Sequence, residues 1–569
     1  MAVLFLVLPV SGCHRGAGNS LRSTSDGSAL RIHIASEPDY LDPALSSTVD
    51  SGTLAQNSFV GLFTTDEQGR PQPALCDRYT LSDDGRTYTF VLKDGLTWSD
   101  GTPLSAKDFA WSWKRAADPQ TGATYSYLFD AFEKDRRGRI RVDADDNVLT
   151  AHLQAPCAYF LDLCAFPTFL PVPKAAVTRA DPDHNNPGKW ASEAGFPTNG
   201  PYVLKEWKHN ESMIYEKNPR YYEAERVRIP QLQFMLTSDS TSAYAAYNAG
   251  NLDFCSGVPT DIAASLLSRA DYHKSDTLGT YYISFNVNSD LFRGMSEEKA
   301  TTVRKALSLL IDRNYIVENI GQLGQKVATS FIPYDMSDGS GGTFKSAEEW
   351  NYPDPASLGY FPAEYHAAEA KQQAIRLLKS VGYEFNENGH LSPKTPIAFD
   401  YTINADSGHQ AIGEALQSDW GQIGVTCKIK TQEWNTFVAD RRAGKITCAR
   451  DGWVADFNDP ITMLDLFTSY SDNNNCQFGK DPGNPSAPKW DGFDALIARI
   501  KTTTDMAERV RLMHEAEDMI MGTWAVIPLY YYTGGHLCKT NIKGVYGTPF
   551  GMKLFCYATV EGASSGRTS

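Results

Sequence analysis

No two of the ten cysteines stand in a C-x-x-C pair. That excludes a zinc ribbon and a thioredoxin-type redox motif. Basic charge is scarce: 53 Lys+Arg against 68 Asp+Glu give a formal net charge of −15. That acidic balance disfavours a nucleic-acid partner, which calls for an extended basic patch. No run approaches the roughly 20 apolar residues of a permanent bilayer-spanning helix. No low-complexity block is long enough to leave the whole chain disordered. His514-Glu515-Ala516-Glu517-Asp518 ends in Asp where the H-E-x-x-H zinc motif needs His. Gly562-Ala563-Ser564-Ser565-Gly566 has the letters of G-x-S-x-G, but no strand precedes it and no His follows. Nothing points to the paired carboxylates of a glycosidase. No catalytic residue, metal site or cofactor is expected, and the chain is read as a non-enzyme.

What is present is a large globular chain. The 569 residues are 42% hydrophobic and 12% aromatic, which suggests about three to four domains with sizeable cores. Ala2 to Val10 is almost entirely apolar and fits the core of a signal peptide. Val10-Ser11-Gly12-Cys13 resembles a bacterial lipoprotein box. The resemblance implies cleavage before Cys13 and a lipid on its sulfur; the alternative is a buried N-terminal strand with a chance cysteine. No Lys or Arg precedes the apolar run, a departure that leaves an upstream start open. Arg15 to Ser28 is rich in Gly and Ser and reads as a flexible tether. Without Cys13, nine cysteines remain. Their pairing is not legible, and most are expected to be small buried hydrophobes.

Leu30, Ile32 and Ile34 alternate with polar residues, the period of a half-buried strand. Turn signals at Gly69, Gly85, Gly95 and Gly101 punctuate a run of short strands. Ser105 and Asp108 form a capping box that opens a helix with Phe109, Trp111 and Trp113. Helices are expected over Lys371 to Val381, with Gly382 as C-cap, and around Ile412 to Ile423. A short helix is expected at Phe437-Val438, and a longer one over Ala507 to Met521. Val425, Cys427 and Ile429 alternate as a strand, and Trp524 to Tyr532 reads as a strand buried on both faces. This alternation of helix and strand gives an α/β fold class.

The stretch from Arg450 to Pro460 carries the most chemistry. Lys445 to Ala449 is predicted as a strand, and Asp459-Pro460 as a helix start. From Arg450 to Asp459, one Arg, three Asp and Trp453 are read as a loop that holds both signs of charge beside an aromatic wall. A zwitterionic peptide or amino acid needs those groups. The other reading is an ordinary surface loop with Trp453 in the core.

Several motifs in order resemble one family. Gly85-Arg86-Thr87-Tyr88-Thr89-Phe90 runs into Trp98-Ser99-Asp100-Gly101-Thr102-Pro103-Leu104-Ser105-Ala106-Lys107-Asp108-Phe109. Thr198-Asn199-Gly200-Pro201-Tyr202, Ala249-Gly250-Asn251-Leu252-Asp253 and Val303-Arg304-Lys305-Ala306-Leu307 follow, then Trp420-Gly421-Gln422-Ile423-Gly424-Val425. Together they resemble the extracytoplasmic solute-binding proteins of bacterial ABC importers for oligopeptides, dipeptides and nickel, from about Leu30 to Val560. The resemblance implies a two-lobed periplasmic-binding-protein fold (type II-like) with an extra insert domain in the N-terminal lobe. Carried over, residues 1–29 are signal and tether. Lobe I comprises 30–62, 186–278 and 526–569; the insert domain is 63–185; lobe II is 279–525. The lobes are expected to close over ligand by a hinge motion.

The resemblance also implies site residues. Asp456, in Trp453-Val454-Ala455-Asp456-Phe457-Asn458, is expected to anchor a peptide ammonium, or otherwise to cap a local turn. Arg450 and Arg441 match basic positions that meet the peptide carboxylate, as an Arg fork does bidentately, and His409 resembles a third. Arg441 with Arg442 is equally readable as a solvated helix face, and His409 as a satisfied histidine. Asp451 is expected to neutralise Arg450. Trp434, Trp453 and Tyr125 are expected as aromatic walls, or as core. Strand addition to the ligand backbone is expected around Arg450 to Val454 and around Ser36. The expected partners are an oligopeptide, permease subunits and, through Cys13, a bacterial membrane. A monomer in the periplasm or cell envelope is expected. Dipeptides, murein peptides and nickel chelates stay open as ligands, and a surface hydrolase or adhesin as other classes.

Overall fold

The computed structural model describes residues 27–259, 262–339, 342–346 and 350–562. Cys13, the apolar leader and the Ser of the G-x-S-x-G letters lie outside them. An eleven-stranded mixed sheet runs through the protein. Its order begins Thr426–Gln432, Ala398–Asn404, Cys448–Val454 and Tyr272–Phe285. It continues through Val526–Cys538 and Phe254–Ser256 to Leu30–Ala35, Gln231–Leu236, Ser212–Lys217 and Tyr202–Lys208. Lys326–Val327 adds to Val526–Cys538 off this path.

The two central strands are 14 and 13 residues long and pair antiparallel with each other. They cross from one half of the sheet to the other. Their register shifts between Asp276 and Thr280. A second, four-stranded antiparallel sheet is made of Cys76–Leu81, Thr87–Leu92, Val148–His152 and Val142–Asp145. The helix Ala106–Ala116 covers it, with Trp113 fully buried and its indole N–H on the Phe169 carbonyl (2.8 Å). Such a buried indole needs that acceptor.

Most local expectations hold. The Ser105–Asp108 capping box is formed. Gly382 takes φ +92°, the left-handed C-cap conformation, after helix Ala367–Ser380. Helices Ser407–Gly421, Trp434–Arg442 and Met506–Gly522 stand where periodicity places them. All nine described cysteines are free and buried. Among the described residues no helix is long and apolar enough to cross a membrane.

Two expectations fail. Leu30–Ala35 is not half-buried: Arg31 and His33 are 3% and 2% exposed. The strand lies between two parallel neighbours. Arg31 is matched there by Asp253, with Nε and Nη2 on its carboxylate at 2.8 and 2.5 Å. The polar alternation marked a buried pair, not a wet face. The second failure concerns Arg450 to Val454, which is strand rather than loop: the strand is Cys448–Val454. Every residue in it pairs with Tyr272–Phe285, from Cys448 opposite Phe285 to Val454 opposite Gly279. The neighbour's ladder outweighs the weak strand preference of Arg, Asp and Gly.

Candidate functional site

A cavity of about 270 Å³ opens where three distant parts of the chain meet. One wall is Ser46 to Asp50, at the N-terminus of helix Val49–Ser58, joined by Phe550 and Met552. A second carries Tyr125 and Phe166. The third is the end of strand Cys448–Val454 with Ala455 and Asp456, helix Trp434–Arg442, and Asn473 and Asn475.

Gly452 is forced by geometry. A Cβ there would stand 2.1 Å from the Tyr532 hydroxyl, which lines the same cavity. A side chain at this position displaces that tyrosine.

Asp456 is half-buried at the cavity wall. Thr462 Oγ1 donates to its Oδ2 (2.9 Å) and Tyr125 Oη to its Oδ1 (3.2 Å). Burial pushes its pKa up to about 7, against the two hydrogen bonds; the one charge that adds to the shift is another carboxylate, Asp465. Among the described residues no cation pairs with this carboxyl.

Asp451 does not neutralise Arg450. It pairs instead with Arg441, whose Nη1 lies 2.8 Å from Oδ1, and it also accepts from Asn475 Nδ2 (3.0 Å). Successive strand residues point to opposite faces, so Asp451 and Arg450 diverge. Arg450 Nε donates to Asn404 Oδ1 (2.7 Å), and its guanidinium lies 5.5 Å from the Trp434 ring and 5.9 Å from Tyr281. His409 Nδ1 is 3.1 Å from Tyr281 Oη. Burial, with the Arg450 charge, drives the His409 pKa well below its ordinary value.

Asp456, Trp453, Arg441, Trp434 and Tyr125 therefore line the cavity, while Arg450 and His409 do not. The latter two form a cationic and aromatic annex, which touches the cavity through Trp434. Ser36 lies off the cavity too; its place is taken by Ser46 to Asp50.

Sequence reasoning missed Asp50, Asn473, Asn475, Phe550 and Met552. It left Arg442 as a possible solvated face. Arg442 lines the cavity, and its Nη2 donates to two neutral oxygens, Ser47 Oγ and Asn473 Oδ1, each at 3.2 Å. The run Asp472-Asn473-Asn474-Asn475 was a visible polar signal. Nothing in the pattern marked the others. Four buried polar atoms of lining residues have no partner among the described residues: Trp453 Nε1, Arg441 Nε, Asn473 Nδ2 and Asn475 Oδ1. Buried orphans of this kind are costly unless a guest or water supplies the missing bonds.

Asp456→Asn is expected to stabilise the empty protein, more at pH 8 than at pH 5. The folded pKa of about 7 exceeds the ordinary 3.8, so the folded state binds more protons between these values. Stability from this group is full below about pH 4 and is lost as pH rises through about 7. The raw shift corresponds to about 4 kcal/mol; partial contact with solvent reduces this to about 1–2. Thermal scans showing equal shifts at both pH values would contradict this.

The family model for bacterial extracellular solute-binding proteins, family 5 Middle, matches residues 70–475. The oligopeptide-binding protein OppA of Bacillus subtilis is 28% identical over 563 residues, covering 95% of each chain. The crystal structure of Haemophilus influenzae OppA in complex with RPPGFSPFR superposes with a TM-score of 0.80 at 26% identity. It covers 94% of this chain and 99% of that one. The Escherichia coli murein tripeptide binding protein MppA superposes at 0.80, with 27% identity and coverage of 94% and 98%. Its unliganded open form reaches only 0.60, at coverage of 94% and 97%. The fold is the two-lobed one of this group.

Proposed function

Because the chain belongs to the bacterial extracellular solute-binding proteins of family 5, we propose that it captures peptides between its lobes and delivers them to the membrane subunits of an ABC importer. The observation that carries this is a carboxyl, Asp456, that no cation pairs among the described residues, in one cavity with a guanidinium, Arg442, that among them is held only by neutral oxygens. Asp456 takes the ligand ammonium. Arg442, with Arg441 beside it, takes the carboxylate of a short guest. Arg450 and His409, in the annex, serve longer guests, His409 as a neutral hydrogen-bonding group. Trp453, Trp434 and Tyr125 wall the ligand, and the orphaned polar atoms bond its backbone.

Lobe I is assigned to 30–62, 186–278 and 526–569, the insert domain to 63–185, and lobe II to 279–525. The central strands Tyr272–Phe285 and Val526–Cys538 would then join the lobes. The protein works as a monomer, without catalysis, in the periplasm or cell envelope, tethered by a lipid on Cys13.

Native mass spectrometry of the purified protein is expected to show short peptides bound. After their removal, calorimetric titration with tripeptides is expected to saturate at one site. An empty protein that binds no tripeptide, or one that returns cleaved fragments, overturns the reading.

A further inference from the structure

Charges on the cavity wall do not balance. The lining carries three carboxyl groups, Asp50, Asp451 and Asp456, and two guanidiniums, Arg441 and Arg442. Arg441 and Asp451 are consumed in their own 2.8 Å ion pair. On the peptide-binding reading above, on which this inference rests, the ligand ammonium matches Asp456 and its carboxylate matches Arg442. Asp50 is left over.

Asp50 stands in the first turn of helix Val49–Ser58. It does not cap that helix, because Thr48 does so with its hydroxyl on the Ser51 N–H (3.2 Å). The groups that act on Asp50 are the Ser36 backbone and the Asp39 carboxylate, with no cation among them. Asp39 is itself held by Ser47 N (3.0 Å), Ser47 Oγ (2.5 Å) and Ser51 Oγ, so it has no need of a ligand. Two residues on from Asp50, Met552 packs over Gly52, its Cε 3.0 Å from where a Cβ would stand, and Met552 lines the same cavity as Asp50. The cavity therefore offers apolar surface as well as the carboxyl, as the methylene stem of a basic side chain requires. A charge shut into a closing cavity without a partner is unfavourable.

We propose that Asp50 is a specificity-determining residue, and that the cavity takes peptides carrying a basic side chain, whose cation Asp50 receives. A zwitterionic peptide with one such side chain brings the charge count to zero. An acidic peptide leaves two negative charges facing each other.

The test is calorimetric titration at pH 8 with Lys-Ala-Ala and Ala-Lys-Ala, their norleucine counterparts, and Ala-Glu-Ala. Norleucine keeps the stem and removes the charge. The wild-type protein is expected to bind a lysine peptide about tenfold tighter than its norleucine twin at one or both positions, and the glutamate peptide weakest. Asp50→Asn is expected to erase that preference. Norleucine peptides that bind as well as lysine peptides overturn the proposal and leave the peptide reading standing. A lysine preference that survives in Asp50→Asn also overturns it. If no peptide binds, both fall together. Should Asp50→Asn fail to fold, the wild-type lysine–norleucine comparison decides alone.

Discussion

Asp456→Ala is expected to weaken binding of free-amino tripeptides by about 100-fold or more, and binding of their N-acetylated forms by less than about threefold. The range follows from truncating one partner of a desolvated charge pair, which costs about 2–5 kcal/mol. The acetylated peptide carries no ammonium and so has nothing to lose at this position. Calorimetric titration of the four combinations measures the effect. Equal losses for both peptides would remove Asp456 from the anchor role. The same carboxyl is pushed up to about 7 by burial. An arriving ammonium favours its charged form, so binding is accompanied by proton release below about pH 7. Affinity for free-amino peptides weakens as pH falls from 8 to 5.5, and acetylated peptides escape that dependence.

Asp451→Ala is expected to cost about 3–5 kcal/mol of stability. Asp451 is 1% exposed. Its carboxylate accepts from Arg441 at 2.8 Å, Asn475 at 3.0 Å and its neighbour's Gly452 N–H at 2.9 Å. Removing it strands the Arg441 guanidinium, whose Nε already has no partner. The urea midpoint and melting temperature both fall. Adding Arg441→Met recovers a large part of the loss, because the uncompensated charge leaves with the arginine. A double variant no more stable than Asp451→Ala would show that the pair is not the source of the cost. This pair differs from Asp456 in kind. Asp451 is already matched within the protein and holds the cavity wall together. Asp456 is unmatched and available to a guest.

Particular residues show where sequence reading worked. The capping box at Ser105, the left-handed Gly382 and the stripe Ile412, Leu416, Trp420 were legible because each is a contact within a turn or two of helix. Leu30 to Ile34 misled because alternation reports two faces, not their solvent. The second face met Asp253, more than two hundred positions away. Arg450 to Val454 misled because Arg, Asp and Gly have loop-like propensities, and the partner strand that overrides them is also remote in sequence. Of the expected site, Asp456, Trp453 and Tyr125 are brought together, the first two on one short segment. Their motif could be matched without knowledge of the fold. Asp50, Arg442 and Met552 carried no such motif.

The amino-acid sequence by itself determined the class of molecule: an acidic α/β chain whose ordered local motifs mark it as a solute binder. Periods, caps and turn residues act over a few bonds, so they survive in a linear reading. Only the tertiary structure decided which charges face one another. It turned Asp451 to Arg441 and Arg450 to Asn404, and it left Asp50 and Asp456 in the cavity without a cation. Those outcomes depend on strand pairing and on crossings between segments far apart in the chain. Electrostatic energy in a closed cavity depends on distance and burial, which residue order does not contain.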